Sequence, residues 1–436
     1  MAAIAPFRAI HYDASKADPV QVTSPPYDVI SAAERAELAG RDARNIVRVI
    51  LPEQTEAGYA DAAVAIEEWL EAGAFTRDDR PTYYTYRIHH HGAIMKGFFA
   101  RVRVDPEYQE VRRHENTLKK PKQDRLHLRT ATACDTEPIQ LLYRDERGWV
   151  DEVLTSNEED EPVLDFTDAA GMRHVVTPVT RPEALDEVTA QFEDKTLVIA
   201  DGHHRYQTAV NHFTQTGRAE DGALLAVLVR DQDEGIWIDP THRVVAGLDL
   251  APAAALEAAT AHYDVEPVEI VGESDEELGA HVRIALEEGH ALVLDAENLA
   301  VGRIHRLRLK PASAVDEGRG PLDGLDITHL HERLLPTWGI TVDNLEDHVT
   351  YTRVDGEAVA AAKAGNLVIV PPTLPVSAVL DVAAAGHAMP QKSTYFIPKM
   401  QSGLLLSPLD EPRPVPWTQM AGDGGKPPAF QMPNLE

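Results

Sequence analysis

The stretch LVIADGHHRYQTAV, residues 197–210, constrains the fold more than any other part of the sequence. A run of apolar residues typical of a buried strand passes directly into Asp-Gly-His-His-Arg and then into a helical pattern. Glycine permits backbone conformations that other residues resist, and it lets a ligand approach the chain closely. The first N–H groups of a helix have no partners within the helix and form a site for an anion. The sequence therefore predicts a phosphate-binding corner, formed by residues 201–205.

The neighbours of Gly202 suit this 201–205 corner to a phosphate. Arg205 lies in the first helical turn, where its guanidinium can donate two hydrogen bonds to a phosphate. Asp201, at the end of the strand, can orient a histidine or reach a magnesium ion. His203 and His204 can position a ligand or act as an acid. Two other interpretations stay open: Asp201 only caps the helix, or the histidines bind zinc, although two adjacent histidines point apart on a helix.

The segment RRHENTLKKPKQDRLHLR, residues 112–129, is strongly basic in a chain whose net charge is −30. Such a segment is predicted to face an anionic ligand, with Lys122 and Arg125 neutralising its charge. Glu115 lies within this positive field, which keeps it ionised and suited to accept a proton from a substrate hydroxyl. The alternative is a solvated basic helix with Glu115 paired to a neighbouring arginine.

Three further stretches hold residues that can line the same site: His242 and Arg243 in DPTHRVV, Lys392, Ser393 and Lys399 in MPQKSTYFIPK, and Asp28 in SPPYDV. Lysine beside hydroxyl groups is typical of phosphate binding, but the glycines of a P-loop are absent from this stretch. Each stretch has a structural alternative. For DPTHRVV it is an ion pair, for MPQKSTYFIPK a rigid loop at a domain contact, and for SPPYDV a stiff turn.

Composition excludes several classes of function. The acidity is spread along the chain and repels nucleic acid and anionic membranes. High Asp and Glu with 11 Lys against 30 Arg resembles proteins of a salt-loaded cytoplasm. A single cysteine, Cys134, excludes a disulfide framework and a cysteine zinc site. The first residues do not form a secretory signal, and no apolar run reaches the roughly 18–20 residues of a membrane span. We expect a soluble cytoplasmic protein.

Periodicity and turn residues predict the remaining elements. The predicted elements are a helix capped by Ser31 and ended by Gly40, a helix at 58–72, a hairpin around Gly92, two strands within 138–154, a helix at 182–193, a strand at 223–231, a second strand within 235–247, alternating helices and strands over 251–310, and a helix from about Thr328. The domains predicted from this pattern are 1–250, 251–408 and a Pro- and Gly-rich tail, 409–436.

Seven stretches together resemble the family catalogued as domain of unknown function 1015, over about residues 4–407. They are PFRAI, SPPYDVIS, RRHENT, IADGHHRYQTA, PTHRVV, LDITHLH and MPQKSTYFIPK. The family name itself implies no activity.

A narrower resemblance covers about residues 111–145 and 195–215. The order His-Glu, helix, Pro-Ile strand and then DGHHR opening a helix resembles the ParB/sulfiredoxin fold, and within it the archaeal free-serine kinases. The resemblance implies that Gly202 and Arg205 bind nucleotide phosphates and that Glu115, after His114, activates the serine hydroxyl. Sulfiredoxin has a cysteine directly after the glycine, where this chain has His203, so sulfinic acid reduction is not expected.

The resemblance implies a mixed α/β (α+β) fold: a ParB/sulfiredoxin-like N-terminal domain with inserted β-hairpins, and a second αβ domain. It also implies a phosphotransferase that uses Mg²⁺ with ADP, ATP or pyrophosphate as donor and a small hydroxylated metabolite, foremost free L-serine, as acceptor. In that interpretation Asp201 is the residue that would reach the magnesium ion. The alternative is a ParB-like module that binds or hydrolyses a nucleotide without phosphorylating a metabolite. Neither interpretation involves nucleic acid or a membrane, and neither fixes an oligomeric state.

Overall fold

A computed structural model describes residues 2–115, 122–314 and 317–410. The chain divides into two compact units. Unit 1 is formed by Met1–Arg113, Thr117–Ile236 and Pro398–Glu436, and unit 2 by His114–Asn116 and Trp237–Ile397. The chain passes between them after Ile236, where the sequence placed a boundary near 250. The described residues after Ile397, which the sequence grouped with the second domain, belong to unit 1, and most of the predicted tail lies outside the described residues.

Unit 1 contains thirteen of the strands and eight of the helices of the described chain, numbered here along the whole sequence. Its strands are β1 (Ile4–Ala5), β2 (Ile10–Tyr12), β3 (Phe75–Arg77), β4 (Tyr83–His90), β5 (Ala93–Arg103), β6 (Val111–Arg113), β7 (Cys134–Asp135), β8 (Ile139–Tyr143), β9 (Leu164–Thr167), β10 (Arg173–Val179), β11 (Leu197–Asp201), β12 (Ala223–Arg230) and β21 (Ser407–Pro408). Its helices are α1 (Pro19–Val22), α2 (Ala32–Arg41), α3 (Val47–Ile50), α4 (Glu56–Glu71), α5 (Lys122–Thr132), α6 (Trp149–Ser156), α7 (Pro182–Gln191) and α8 (His203–Thr216).

A mixed sheet organises unit 1. Its described strands follow the order β6-β11-β8-β12-β5-β4-β10-β9, with β1 added to β5. The pairs β6–β11 and β8–β12 are parallel, and the other pairs are antiparallel. One apolar cluster on this sheet joins Ile139, Leu141 and Ile199 to Tyr206 and Ala209 of α8. This packing fixes α8 against the strand that precedes it, β11.

Several elements of unit 1 confirm the prediction. Ser31 and Glu34 form a capping box at the start of α2, which ends at Arg41, one residue past the predicted stop at Gly40. The predicted hairpin around Gly92 is the antiparallel pair β4–β5.

The second strand predicted after the Glu-Arg-Gly turn is wrong, because residues Trp149–Ser156 form helix α6. Gly148 precedes the helix in the left-handed conformation, and the Asp145 carboxylate accepts a hydrogen bond of 2.9 Å from the N–H of Val150. Val150 and Leu154, one helical turn apart, are both buried. Capping and this spacing favour the helix over a strand.

Unit 2 contains the other described strands and helices. Its strands are β13 (Trp237–Ile238), β14 (His242–Val245), β15 (Tyr263–Glu269), β16 (Ala291–Leu294), β17 (Arg303–Leu309), β18 (Val349–Thr352), β19 (Leu367–Val370) and β20 (Phe396–Ile397). Its helices are α9 (Pro252–Ala259), α10 (Asp275–Leu286), α11 (Ala296–Leu299), α12 (Asp326–His329), α13 (Leu335–Thr337), α14 (Leu345–His348), α15 (Asp355–Lys363) and α16 (Val376–Ala384), with a π-helical turn at Leu330–Leu334 between α12 and α13.

The described strands of unit 2 form a sheet with the order β15-β17-β16-β19-β14-β18, and β13 pairs with β20 apart from it. The sequence predicted one strand within residues 235–247, but two short strands, β13 and β14, occupy this stretch and belong to different sheets. Pro240 lies between them; it lacks a backbone N–H, which a central strand requires. His242 and Arg243 therefore lie within strand β14.

The chain has the mixed α/β fold that the sequence predicts, with helices beside a mixed sheet in unit 1 and beside an antiparallel sheet in unit 2. Across the described residues, no helix combines the length and the apolar character needed to cross a bilayer.

Candidate functional site

The 201–205 corner forms where β11 ends and α8 begins. Gly202 is the N-cap residue of α8, with a φ of +90°, and no side chain of this residue is present to cap the helix. A Cβ atom at Gly202 would lie 2.6 Å from Cγ2 of Ile139, so another residue would clash with β8. The glycine is thus required by backbone conformation and by packing, whether or not a ligand approaches it.

Two cationic side chains converge on Asp201. Lys399 donates from Nζ to Oδ1 at 2.5 Å, and Arg205 donates from its guanidinium to Oδ2 at 2.9 Å. Burial acts to raise the pKa of the Asp201 carboxyl, but the charges of Lys399 and Arg205 outweigh burial and hold this pKa below its usual value. Asp201 is therefore ionised and bonded to cations through both oxygens.

This bonding does not suit Asp201 to a resident magnesium ion, because a divalent cation would have to displace a lysine or an arginine from the carboxylate. No group of three or more His, Cys, Asp or Glu side chains within the described ranges is arranged to hold a metal. The donor set thus does not fit the magnesium role that the sequence suggested for Asp201.

Arg205 is held at the corner by unit 1 itself. Besides Asp201, its guanidinium donates to the carbonyl oxygen of Pro138, and it lies 5.9 Å from the centre of the Tyr27 ring. Burial acts to lower the pKa of Arg205, but the charges of Glu137, Asp201 and Asp28 more than offset it and raise this pKa. The predicted two-bond clamp on a phosphate would require the terminal nitrogens to exchange their present acceptors.

A buried carboxylate, Glu137, lies beside Arg125 and acts on Arg205 with its charge, and sequence reasoning missed it. It accepts hydrogen bonds from the N–H of Tyr27 at 3.0 Å and from the hydroxyl of Ser402 at 2.8 Å. Burial raises the pKa of Glu137, although the charges of Arg205 and Arg125 act against this rise. Its position directly before Pro138 and the buried strand β8 is the only signal the sequence offers.

Arg125 of helix α5, predicted to neutralise phosphate charge, is buried beside Glu137. It donates to the Asp124 carboxylate at 2.8 Å and to the carbonyl of Ile50 at 2.6 Å, and its guanidinium lies 4.3 Å from the centre of the Tyr27 ring. Arg125 and Arg205 also line one small cavity of about 40 Å³. Its contacts make Arg125 a support of the corner. Lys122 begins α5, and its side chain lies outside the described residues.

His203 and His204 occupy the first turn of α8, where both are partly exposed. The charge of His203 acts to lower the pKa of Asp201. The described first turn holds no acidic side chain, so the positive end of the helix dipole adds to the charges of Lys399 and Arg205.

Glu115 belongs to unit 2, where it meets the loop of residues 389–394. Its carboxylate accepts a hydrogen bond of 2.8 Å from the N–H of Lys392. Its backbone forms a parallel bridge with Met389, whose N–H donates to the carbonyl of His114 at 2.7 Å. Lys392 is exposed and has a φ of +56°, a left-handed conformation uncommon outside glycine.

The remaining predicted residues of unit 2 have structural partners. The ring of His114 shares a hydrogen bond of 2.8 Å with the hydroxyl of Thr394, and the Ser393 hydroxyl donates to the carbonyl of Pro390 at 2.6 Å. His242 lies 2.9 Å from Asp355, which also pairs with Arg283. For His242, the observed contact is this hydrogen bond with the Asp355 carboxylate, as in the structural alternative that the sequence left open.

Residues 4–328 match the family described as Protein of unknown function (DUF1015). The chain belongs to this family. The match confirms the predicted family over residues 4–328 of the predicted 4–407, and MPQKSTYFIPK lies beyond the matched residues. No curated protein matches the sequence.

Solved structures similar to this DUF1015 chain are distant from it. A conserved hypothetical protein from Pyrococcus furiosus is 13% identical, with a TM-score of 0.32, over 69% of this chain and 90% of that one. A free serine kinase variant in complex with ADP is 13% identical, with a TM-score of 0.34, over 69% and 87% of the two chains. SbnI with a C-terminal truncation, from Staphylococcus aureus, is 11% identical, with a TM-score of 0.36, over 71% and 87%.

The predicted residues of this DUF1015 chain fall into two groups, one in each unit. Unit 1 holds Asp28, Arg125, Asp201, Gly202, His203, His204, Arg205 and Lys399, and unit 2 holds His114, Glu115, His242, Arg243, Lys392 and Ser393. Within unit 1, Lys399 donates a hydrogen bond to Asp201 although the two residues are 198 positions apart in the chain. Of the predicted lysines whose side chains the structure describes, Lys399 is therefore the one that contacts the 201–205 corner of this unit.

Proposed function

We propose that this chain is a phosphotransferase whose 201–205 corner binds the phosphates of a nucleotide or of pyrophosphate. The observation that carries this proposal is the convergence of Lys399 and Arg205 on Asp201 directly beside the N-terminus of α8. The corner brings two cations and a helix N-terminus together, and the negative charges of Asp201, Glu137 and Asp28 act on Arg205 there. Lysine, arginine and helix N–H groups are the donors that bind phosphates in proteins.

Asp201 prepares the corner for its ligand. In the free protein its carboxylate gives both cations a partner, which avoids the cost of holding like charges together in a partly buried site. A bound phosphate would share these donors, and the cations need little movement to reach it. A magnesium ion enters this proposal only as part of the donor, bound to its phosphates.

Glu115 is the proposed base. Its carboxylate accepts the proton of the acceptor hydroxyl as the hydroxyl oxygen bonds to the terminal phosphorus of the donor. The bond between that phosphorus and the bridging oxygen breaks, so ATP leaves as ADP, ADP as AMP and pyrophosphate as phosphate. In the sequence, Glu115 comes two positions after Arg113, the last residue of β6, and β6 is the parallel neighbour of β11. The positive charges of Lys399 and Arg205 stabilise the charge that develops on the transferred group.

Free L-serine is the acceptor we propose first, because the His114-Glu115 pair and the 201–205 corner resemble the archaeal free-serine kinases. A hydroxyl group on a small, charged metabolite meets the chemical requirement of the base. His203 or His204 would position the donor or act as an acid.

The test is product formation. The protein is incubated with Mg²⁺, L-serine and each of ATP, ADP and pyrophosphate, and phosphoserine is followed by phosphorus NMR. We expect phosphoserine with at least one donor, and its loss in Glu115→Gln while the donor still binds. Arg205→Met should weaken donor binding. A matched control is Arg218→Met, since Arg218 lies just beyond the other end of α8 and pairs with Asp221.

Two results would contradict the proposal. One is donor binding or hydrolysis with no acceptor phosphorylated across a panel of small alcohols, which would favour the nucleotide-binding module instead. The other is full phosphoserine formation by Glu115→Gln, which would remove Glu115 as the base.

A further inference from the structure

Glu115 is held in unit 2 by a loop that adopts a strained conformation. The N–H of Lys392 donates to the Glu115 carboxylate at 2.8 Å, and the Lys392 backbone is left-handed, with a φ of +56°. A left-handed residue that is not glycine raises the energy of the backbone, and it persists only where the surroundings impose it. The groups that bond to this loop are therefore the ones to consider as the cause of the left-handed conformation at Lys392.

Arg243 supplies these bonds. From strand β14 its guanidinium donates to the carbonyl of Lys392 at 3.1 Å, to that of Gln391 at 3.4 Å and to that of Thr241. The guanidinium thus ties the two peptide groups on either side of the Lys392 Cα atom to the strand. A planar group with several N–H donors in fixed directions is suited to hold carbonyls in this way.

Burial decides how Arg243 can act. Its side chain is 1% exposed, so it does not meet a substrate in solution. Among the described residues, no carboxylate lies within 4.0 Å of its guanidinium, although the charge of Glu115 acts on it favourably. A buried guanidinium without a bonded carboxylate is costly, and a hydrophobic residue would remove that cost. The bonds that Arg243 donates to the loop carbonyls are therefore the role that explains a buried charge at this position.

We propose that Arg243 is a positioning residue for Glu115. It holds the 389–394 loop so that the N–H of Lys392 fixes one oxygen of the Glu115 carboxylate and, with it, the direction of the base. This proposal rests on the proposed function, in which Glu115 receives the proton of the acceptor. Arg243 would then affect the rate of transfer, and it would leave donor binding unchanged.

The first test is kinetic and uses Arg243→Met with Arg306→Met as the control. Arg306 is also a largely buried arginine of unit 2, but it pairs with Glu288. We expect kcat to fall on the order of tenfold to a hundredfold in Arg243→Met, since small displacements of a base cost this much, with the dissociation constant of the donor unchanged. The double variant Arg243→Met with Glu115→Gln should be no slower than Glu115→Gln alone. Wild-type kcat in Arg243→Met, or multiplying losses in the double variant, would overturn the proposal.

The second test needs no activity. Hydrogen exchange of the Lys392 amide is measured in the wild type, in both arginine variants and in Arg243→Lys, which keeps the charge with fewer donors. Exchange at Lys392 should speed up in Arg243→Met, less in Arg243→Lys, and not in Arg306→Met. Unchanged exchange in Arg243→Met would overturn the proposal. If wild-type protein phosphorylates no acceptor, the proposed function fails, while exchange still decides whether Arg243 holds Glu115.

Discussion

Lys399 and Asp201 form an ion pair of 2.5 Å within unit 1, although 198 residues separate them in the chain. Asp201 ends strand β11, and Lys399 lies in the segment that returns to unit 1 after Ile397. The corner therefore depends on a segment near the end of the described chain, and its charge is complete only when that segment is in place.

Lys399→Met tests this dependence. The substitution leaves Asp201 with Arg205 alone, and it removes one of the two cations proposed to meet the phosphates. We expect donor affinity to fall by about tenfold to a hundredfold, or ~1.4–2.8 kcal/mol, as for loss of a charge-assisted bond. Calorimetric titration with ADP and with pyrophosphate measures the change.

Lys363→Met is the control for this experiment, because Lys363 forms an exposed ion pair with Asp275 in unit 2. An exposed pair contributes only about 0–1 kcal/mol, so donor affinity should not change. Equal affinity of wild type and Lys399→Met would exclude Lys399 from the phosphate site.

Gly202→Ala should destabilise the protein even without a ligand. The new Cβ atom would lie 2.6 Å from Ile139, and the residue would keep a φ of +90°. We expect a loss of about 2–4 kcal/mol in the free energy of unfolding, from backbone strain and steric overlap together. Urea denaturation without donor measures this loss.

Gly217→Ala provides the comparison at the other end of α8. Gly217 also has a positive φ, of +64°, but nothing lies within 4 Å of the position of its Cβ atom. Its substitution should cost only about 1 kcal/mol, the price of the left-handed conformation. Equal losses in the two variants would show that packing against Ile139 is not what requires the glycine.

Asp233 should make the free energy of unfolding depend on pH in the weakly acidic range. Burial raises the pKa of Asp233 to about 6, against the opposing hydrogen bonds from the N–H groups of Gly235 and Lys96. Because the folded-state pKa lies above the unfolded value, the contribution of this residue is most favourable at low pH and is lost as pH rises through about 6.

Asp233→Asn removes this titration. Relative to wild type, the variant should therefore gain stability as pH rises from about 4 to about 7, by on the order of 1–3 kcal/mol. The measurement is the free energy of unfolding of both proteins across this range. A difference between them that does not change with pH would contradict the raised pKa.

The sequence predicts the parts of the fold that local pattern controls. Strand β11, Gly202 and helix α8 follow one another as the residues 197–210 indicate, and the β4–β5 hairpin turns at Gly92 as its period of two predicts. Helix α6 escaped prediction because the Asp145 carboxylate that accepts from its first turn lies before Gly148, in what the sequence predicts as a turn between two strands. A stretch as short as Trp149–Ser156 suits a strand as well as a helix.

The site was predictable only where its residues are neighbours in the sequence. Gly202 and Arg205 stand four residues or fewer from Asp201, whereas Glu137 and Lys399 meet them only through the folded chain. Long-range pairing of this kind depends on sheet order, which periodicity does not reveal. Arg243 illustrates the same limit, since its carbonyl partners lie about 150 residues further along the chain.

The most direct test of phosphate binding at the corner is a titration of isotope-labelled protein with pyrophosphate, followed through the backbone amide signals. We predict saturable shifts at the amides of Gly202, His203, His204 and Arg205, weakened in Arg205→Met and unaffected in Arg218→Met. Pyrophosphate that binds without moving these amides, or that moves them equally in Arg205→Met, would contradict the account.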